Sequence, residues 1–324
     1  MKLYIYPTYT PSRDKSGNLY IKFFHDSFKQ TQGIQLVNRI WKIGISSLLF
    51  NLDAKIVIIQ WVDLIPQKKF GMFQSIALII LLKLCKIIGK KIVWILHNKR
   101  AHARESKMVD YIMKFMAKVS DDVVVHSSDG VLFFDAKYPK YAGKCRFIPH
   151  PVYNDKEYDS ITPKYDYIVW GGINRHKINI SFFDIVKKSE ILSKRSFLLC
   201  GKCSDTILAE LIKNKKGDNI DFENRFLTDE ELRDRISKSR CILFLYSEDS
   251  LLSSGAVIYS INFCKPIIGP NAGNFADLTN IVSTYDALEQ IQDIVFRDNK
   301  KYCMEYIKDN TWDKFPKKLL NKFL

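Results

Sequence analysis

No Gly-x-Gly-x-x-Gly follows the first apolar run of this chain, no Asp-x-Asp occurs anywhere in it, and its one Cys-x-x-Cys has no second pair to complete a metal site. The first absence disfavours a dinucleotide-dependent oxidoreductase, whose pyrophosphate needs those glycines at the first strand–helix turn. The second removes the acidic pair that would hold a divalent cation against a diphosphate, so metal is expected to be none. Seven cysteines is an odd count, scattered through apolar runs, which fits a reducing cytoplasm better than a disulfide framework. Cys200-Gly201-Lys202-Cys203 closes the apolar run Ser196–Leu199 and reads as a strand end. Long apolar stretches are missing too. Met1–Pro7 is too short for a signal peptide and reads as a first strand. Ser75–Ile88 is too short to span a bilayer and is interrupted by Lys83 and Lys86. It reads as a core helix or, alternatively, as an interfacial helix with its apolar face in lipid. No repeat or low-complexity tract stands out.

What is present suggests two globular domains. The chain has 324 residues, 47% of them hydrophobic, enough for two separate cores. Its formal charge of +15 is uneven. Residues 1–155 hold 24 Lys/Arg against 11 Asp/Glu, whereas residues 156–324 hold 26 against 24. A basic first half implies a polyanionic partner such as anionic lipid, a phosphorylated acceptor or nucleic acid, or else simply a lysine-rich soluble surface.

Apolar runs of strand length alternate with amphipathic segments. Strands are predicted at Lys2–Tyr6, Lys55–Gln60, Lys91–Leu96, Asp122–His126 and Arg146–Ile148. In the second half they fall at Tyr167–Trp170, Ser196–Cys200, Asn219–Phe222, Cys241–Leu245 and Pro266–Ile268. Helices are predicted between them, as at Asn18–Gln30, Met108–Lys118, Ser204–Asn214 and Thr228–Ser237. This alternation argues for parallel sheets covered on both faces. The polar, Pro-containing stretch Asn154–Tyr165 marks a domain boundary. In such folds ligands bind outside the carboxyl ends of the strands.

One segment points to a ligand. Ser253-Ser254-Gly255-Ala256, the apolar run to Phe263, and Cys264-Lys265-Pro266-Ile267-Ile268-Gly269 read as turn, short helix, turn and buried strand. Small residues at a helix start leave backbone N–H groups free for an anion, and a glycine admits a close approach by a diphosphate. A turn–helix–strand unit without a ligand has the same local pattern.

The run Ser254–Ile268 resembles the donor-site segment of bacterial GT-B glycosyltransferases, in a branch similar to family four, with Cys264 replacing the usual Gly. Asn271–Asp277 resembles the Gly-Gly-x-x-Glu loop that follows, and Trp170-Gly171-Gly172-Ile173-Asn174-Arg175-His176-Lys177 the Gly-rich segment whose cations grip the donor diphosphate. The resemblance covers most of the chain and is strongest in its second half. It implies a GT-B α/β fold: two Rossmann-like, doubly wound parallel-sheet domains facing a central cleft. The first (1–155) would bind acceptor and the second (156–300) the nucleotide sugar, with the helical stretch 301–324 crossing back to the first.

The resemblance also implies roles. Arg175 and Lys177 would supply cations to the diphosphate, with Gly171 and Gly172 in the same loop. The family's Arg stands where this chain has Gly172, so Arg175 is an offset substitute. Ser254, Gly255 and Ala256 would supply N–H groups, and Glu248 would approach the transferred sugar. Tyr259 stands where the retaining family carries its second Glu. His97-Asn98-Lys99-Arg100-Ala101-His102 resembles the His-Asn-x-x-x-His loop whose first His lies near the sugar, and Glu105 is the nearest substitute for the acid usual after the second His. Asp14, Asp63 and Glu105 would be the bases of an inverting enzyme. Arg13, Asp14, Asn18, Trp61, Asn98, His102 and His126 are acceptor candidates. His97 also reads as a satisfied strand-end histidine, the loop from Thr8 to Asn18 as an exposed polar loop, and His150 as structural.

The resulting expectation is a cytoplasmic glycosyltransferase, peripheral at the inner membrane face, that needs no cofactor or metal. It would move a hexose from a nucleotide diphosphate sugar, UDP rather than GDP, to a lipid-linked or oligosaccharide acceptor in surface polysaccharide assembly, with retention. Its partners would be the sugar nucleotide, the glycan acceptor and an anionic membrane, not nucleic acid. The competing readings are a non-catalytic glycan-binding or partner subunit of the same fold, a sugar-nucleotide epimerase, and a basic nucleic-acid binder.

Overall fold

The computed structural model describes residues 1–9, 19–39, 44–99, 107–153, 162–247 and 251–323. The chain divides into two compact units, Met1–Pro151 with Asn310–Leu324, and Val152–Asp309.

In the first unit the order is β1 (Lys2–Tyr6), α1 (Leu19–Gln30), β2 (Gln35–Leu36), β3 (Ile56–Gln60), α2 (Gly71–Ile87), β4 (Lys91–Ile95), α3 (Lys107–Val119), β5 (Asp122–Val125), α4 (Ser128–Lys137) and β6 (Cys145–Phe147). Its sheet runs β2-β1-β3-β4-β5-β6 with every pair parallel. All residues of β3 and β5 are buried, as central strands covered on both faces require.

The second unit repeats the plan with β7 (Tyr165–Trp170), α5 (Ser181–Lys188), β8 (Phe197–Cys200), α6 (Thr206–Lys215), β9 (Ile220–Glu223), α7 (Asp229–Ser237), β10 (Ser239–Leu243), α8 (Gly255–Ile261), β11 (Ile267–Pro270), β12 (Val282–Tyr285) and α9 (Lys300–Asp309). Its sheet runs β12-β11-β10-β7-β8-β9, again all parallel. The core beneath it is aromatic and aliphatic, with Phe182, Phe183, Phe197 and Leu208 buried around β7 and β8. Thr228 and Glu231 close a capping box at the start of α7, and Asp205 caps α6.

The last helix, α10 (Phe315–Leu320), belongs to the first unit. Arg146 in β6 donates to the carbonyls of Lys318 and Leu319, at 3.1 and 2.7 Å, and its guanidinium also pairs with Asp122. Lys322 reaches the same carboxylate at 2.7 Å. Asp122 is fully buried, so two cations compensate the desolvation of its charge.

Among the described residues no helix is long and apolar enough to cross a membrane, and no group of His, Cys, Asp and Glu is arranged to hold a metal ion. Cys200 and Cys203 are buried free thiols at the end of β8.

Candidate functional site

Parallel strands deliver their carboxyl ends to one edge of each sheet, and the polar residues cluster there. In the first unit the centre of that edge is Tyr20, from the first turn of α1. Its ring lies 5.0 Å from His97, 5.7 Å from His126, 5.1 Å from His150, 5.6 Å from Trp61 and 5.2 Å from Trp312. These residues follow β3, β4, β5 and β6 and precede α10, so the sheet order gathers positions far apart in sequence.

Hydrogen bonds fix the rings. His126 Nδ1 donates to the carbonyl of Ile148 at 2.8 Å, which leaves Nε2 to accept from the Tyr20 hydroxyl at 2.8 Å. Both nitrogens are thereby committed, so His126 orients Tyr20 and has none left for an acceptor. His150 is buried and donates from Nδ1 to the carbonyl of Pro151. Burial pushes the His126 imidazole down to about 4 and that of His150 down to about 3, because a charged ring there loses its water. His97 is lowered well below its ordinary value by burial, and then by the two neighbouring rings. All three are neutral at pH 7.

His97 is half-buried, and its Nε2 meets Gln60 Oε1 at 2.9 Å. Its ring stacks on Trp61, centroids 4.1 Å apart and planes 6° from parallel. Trp61 sits in the left-handed region at φ 48°, a costly conformation for a bulky residue, which turns the indole onto His97. Asp63 is buried and accepts from Asn98 Nδ2 at 3.0 Å, which makes it a holder of Asn98. His97, Asn98, Trp61 and Asp63 therefore form one group. Arg13, Asp14, Asn18, His102, Glu105 and Glu248 lie outside the described residues.

In the second unit the group forms around Ser254, the N-cap of α8, whose hydroxyl accepts from the amide of Val257. The amides of Gly255 and Ala256 stand in the first turn, outside the helix's own hydrogen-bond ladder. Gly255 is exposed and Ala256 half-buried. The loop Asn271–Asp277 clamps this turn. Asn274 Oδ1 accepts from the Ser254 amide at 2.9 Å, and Asn274 Nδ2 donates to the Ser254 carbonyl at 3.3 Å. Gly273, at φ 56°, lies so close that a Cβ there would meet the Leu252 carbonyl at 2.8 Å. Two segments joined only by resemblance in the sequence are thus one physical unit. Cys264, which follows α8, has φ 49°, a left-handed conformation that favours glycine.

Lys177 joins the same group. Asn174 Oδ1 accepts from the amides of His176 and Lys177, and the carbonyl of His176 accepts from the amide of Ser247. This pins the loop after β7 beside Tyr246. The Lys177 ammonium lies 5.4 Å from the Tyr246 ring centroid, and the Ser254 hydroxyl lies 3.4 Å from the Tyr246 hydroxyl. Tyr246 therefore bridges the lysine to the helix start. Arg175 does not share this arrangement: its Nε donates to Asp205 at 3.0 Å. Gly171 is at φ 114°, and Gly201 approaches it so closely that a Cβ would meet the Gly171 carbonyl oxygen at 1.9 Å. Gly172 is exposed, with open space around it.

Tyr259, which the resemblance aligns with a second Glu, is buried, 5.5 Å from Trp170 and 5.6 Å from Phe263, and its hydroxyl is 3.4 Å from Arg233 Nε. Sequence reading missed Tyr20, Gln60, Tyr246, Asn274 and Trp312. Gln60, at a predicted strand end, Tyr246, just past another, and Asn274, within the loop Asn271–Asp277, were the three that position signals.

No protein-family model and no curated protein matches the chain. Solved structures do. TarM aligns with a TM-score of 0.61 at 14% identity over 86% of this chain, which spans 57% of TarM. HepE of Anabaena, crystallised with UDP, aligns at 0.59 and 11% identity over 99% of this chain and 95% of its own. The lipopolysaccharide outer core galactosyltransferase WaaB aligns at 0.64 and 11% identity over the full length of both chains. Likeness at such identities establishes architecture: the chain has the two-domain GT-B fold of these glycosyltransferases.

Proposed function

We propose that the chain is a metal-independent glycosyltransferase that moves a hexose from a UDP-sugar to a lipid-linked or oligosaccharide acceptor of a bacterial surface polysaccharide, at the cytoplasmic face of the membrane. The observation that carries this reading is the convergence of Lys177, Tyr246, Ser254 and the first-turn amides of α8 at the carboxyl edge of the second sheet. Departure of the leaving group concentrates negative charge on the nucleotide diphosphate. A cation and N–H groups already held in place stabilise that charge more in the transition state than in the ground state. The UDP held by HepE and the galactosyl transfer named for WaaB, both on this fold, support the donor class.

The first unit would receive the acceptor and the transferred sugar. His97 is neutral there, so it would act as a hydrogen-bonding group towards a sugar hydroxyl, held in place by Gln60 and Trp61. Retention of configuration belongs to this reading, with Glu248 as the carboxylate near the sugar. One observation favours a second reading, a non-catalytic glycan-binding subunit: the buried aromatic Tyr259 in place of a carboxylate.

Thermal unfolding with UDP, GDP, CMP and their sugars, in the presence of a chelator, tests the donor site, since a ligand that binds only the folded chain raises its apparent stability. A selective shift with one diphosphate nucleotide supports the site, and subsequent hydrolysis or transfer of its sugar separates enzyme from binding subunit. No shift at about a thousandfold span of concentration up to millimolar would overturn the donor reading.

A further inference from the structure

The first unit carries a surface that its strand-end groups do not use. α2 buries Ser75, Leu78, Leu82 and Cys85 against the sheet and turns another line of residues outwards. Phe73, Ile76, Ile80 and Ile87 are 73%, 45%, 60% and 81% exposed, with exposed Lys83 between them. The alternating spacing of three and four places all five on one stripe of the helix. An apolar stripe this continuous is unusual on a surface that faces only water.

A groove of about 910 Å³ runs beside it, between α2, α3 and the turn from Tyr141 to Lys144. Five lysines line it, with the rings of Tyr111 and Phe115 and one carboxylate, Asp121. Two of the lysines are committed. Lys86 pairs with Asp121 at 2.7 Å, and Lys144 donates to the carbonyls of Lys118 and Ser120 at the end of α3. Lys83, Lys114 and Lys118 are exposed and have no ion pair among the described residues. α2 itself contains no Asp or Glu, so its outward face offers nothing to repel an anion.

We propose that this face seats on an anionic lipid bilayer, with the α2 stripe at the boundary of headgroups and acyl chains and Lys83, Lys114 and Lys118 on lipid phosphates at the mouth of the groove. An apolar stripe flanked by cations matches the interface, where acyl carbon and phosphate lie a few ångströms apart in depth. A soluble polyanion would satisfy the lysines and leave the stripe wet. The proposal deepens the membrane part of the reading above and does not rest on the donor site.

Co-sedimentation with vesicles tests it. The chain is expected to bind phosphatidylcholine vesicles containing about one-third phosphatidylglycerol and not phosphatidylcholine alone, with binding weakened by salt. The triple charge reversal Lys83→Glu, Lys114→Glu, Lys118→Glu is expected to lower vesicle affinity by more than about a hundredfold, since loss of each lysine near an anionic surface removes roughly a fivefold factor and each new carboxylate adds repulsion. The pair Phe73→Ser, Ile80→Ser is expected to abolish the binding that survives in high salt. Both variants should retain the thermal unfolding of the parent and its nucleotide response, which separates a lost membrane contact from a lost fold or a failed donor site. Unchanged binding of the charge-reversed variant would overturn the proposal. So would binding to a DNA duplex with none to vesicles, which would assign the lysines to nucleic acid, or loss of self-association in the serine pair without vesicle binding.

Discussion

The two halves hold nearly equal numbers of cations, 24 in residues 1–155 and 26 in residues 156–324, yet they use them differently. In the second unit several are drawn into shared ion-pair networks. Arg225 and Arg235 share Glu223, Glu231 adds to Arg225, and Asp234 joins Arg235 to Lys238. Arg175 is paired with Asp205. Lys177, two residues on in the same loop, differs from Arg175: its ammonium rests on the Tyr246 ring and has no carboxylate partner among the described residues. In the first unit Lys83 of α2 and Lys114 and Lys118 of α3 remain open beside one groove, with no ion pair among the described residues. Titratable groups divide the other way. The first unit sets half-buried His97 and buried His126 and His150 at its strand ends, whereas the single histidine of the second, His176, is exposed. One fold, used twice, thus yields a unit whose strand ends are kept neutral by burial and a unit whose strand ends present a selected cation.

The largest test of that contrast is pH. His126 and His150 titrate near 4 and 3 in the folded chain, below their ordinary value. On acidification the unfolded chain takes up protons that these folded rings refuse, so stability is full above the ordinary histidine value and falls towards pH 4. The two rings together should remove about 4 kcal/mol between about pH 8 and pH 5. Denaturant unfolding across that range measures it, and a flat profile would show that the rings ionise in place.

The next test is backbone packing at the strand ends of the second unit. Gly201→Ala should cost about 3 kcal/mol or more, from a steric overlap added to a backbone conformation unsuited to a side chain. Gly171→Ala meets open space and should cost about 1–2 kcal/mol, from conformation alone. Equal losses of unfolding free energy in the two variants would contradict the close approach of these glycines.

Selection of one cation gives a smaller but more specific effect. Lys177→Ala should weaken nucleotide diphosphate binding by about tenfold to a hundredfold, the worth of a charge-assisted hydrogen bond, without altering the fold. Arg175→Ala should change it by less than about threefold, because that guanidinium is an exposed ion pair with Asp205. Titration calorimetry with the nucleotide that responds in thermal unfolding distinguishes them, and the reverse ranking would move the phosphate to the outer part of the loop. Smallest of all, Ser254→Ala should cost about 1 kcal/mol of stability through loss of the α8 cap. No change in unfolding would mean that Asn274 alone holds the turn.

Much of the architecture was legible because parallel strands buried on both faces are written as apolar runs. The run Lys2–Tyr6 is β1 residue for residue, and the predicted strands at Lys91–Leu96 and Ser196–Cys200 differ from β4 and β8 by one residue at an end. Two strands escaped notice for a common reason. β2 has only two residues, and β12 is an edge strand whose Ser283 and Thr284 are half-buried, so neither makes an apolar run. In the candidate site the strand-end residues Trp61 and His97 and the cation Lys177 were visible as positions. Their partners were not: Tyr20 meets His126 across more than a hundred residues, and Trp312 arrives from the end of the chain.

The sequence by itself determined the alternation of strand and helix, the excess of positive charge in the first half, and the small-residue turn at Ser254, because each is a property of neighbouring residues. Only the tertiary structure decided which histidines stay neutral, that Arg175 is spent on Asp205 while Lys177 stands by Ser254, and that the lysines of α2 and α3 share a groove. Those outcomes depend on burial and on partners supplied by distant segments, and a charge's environment is set by what folds around it rather than by what precedes it in the chain.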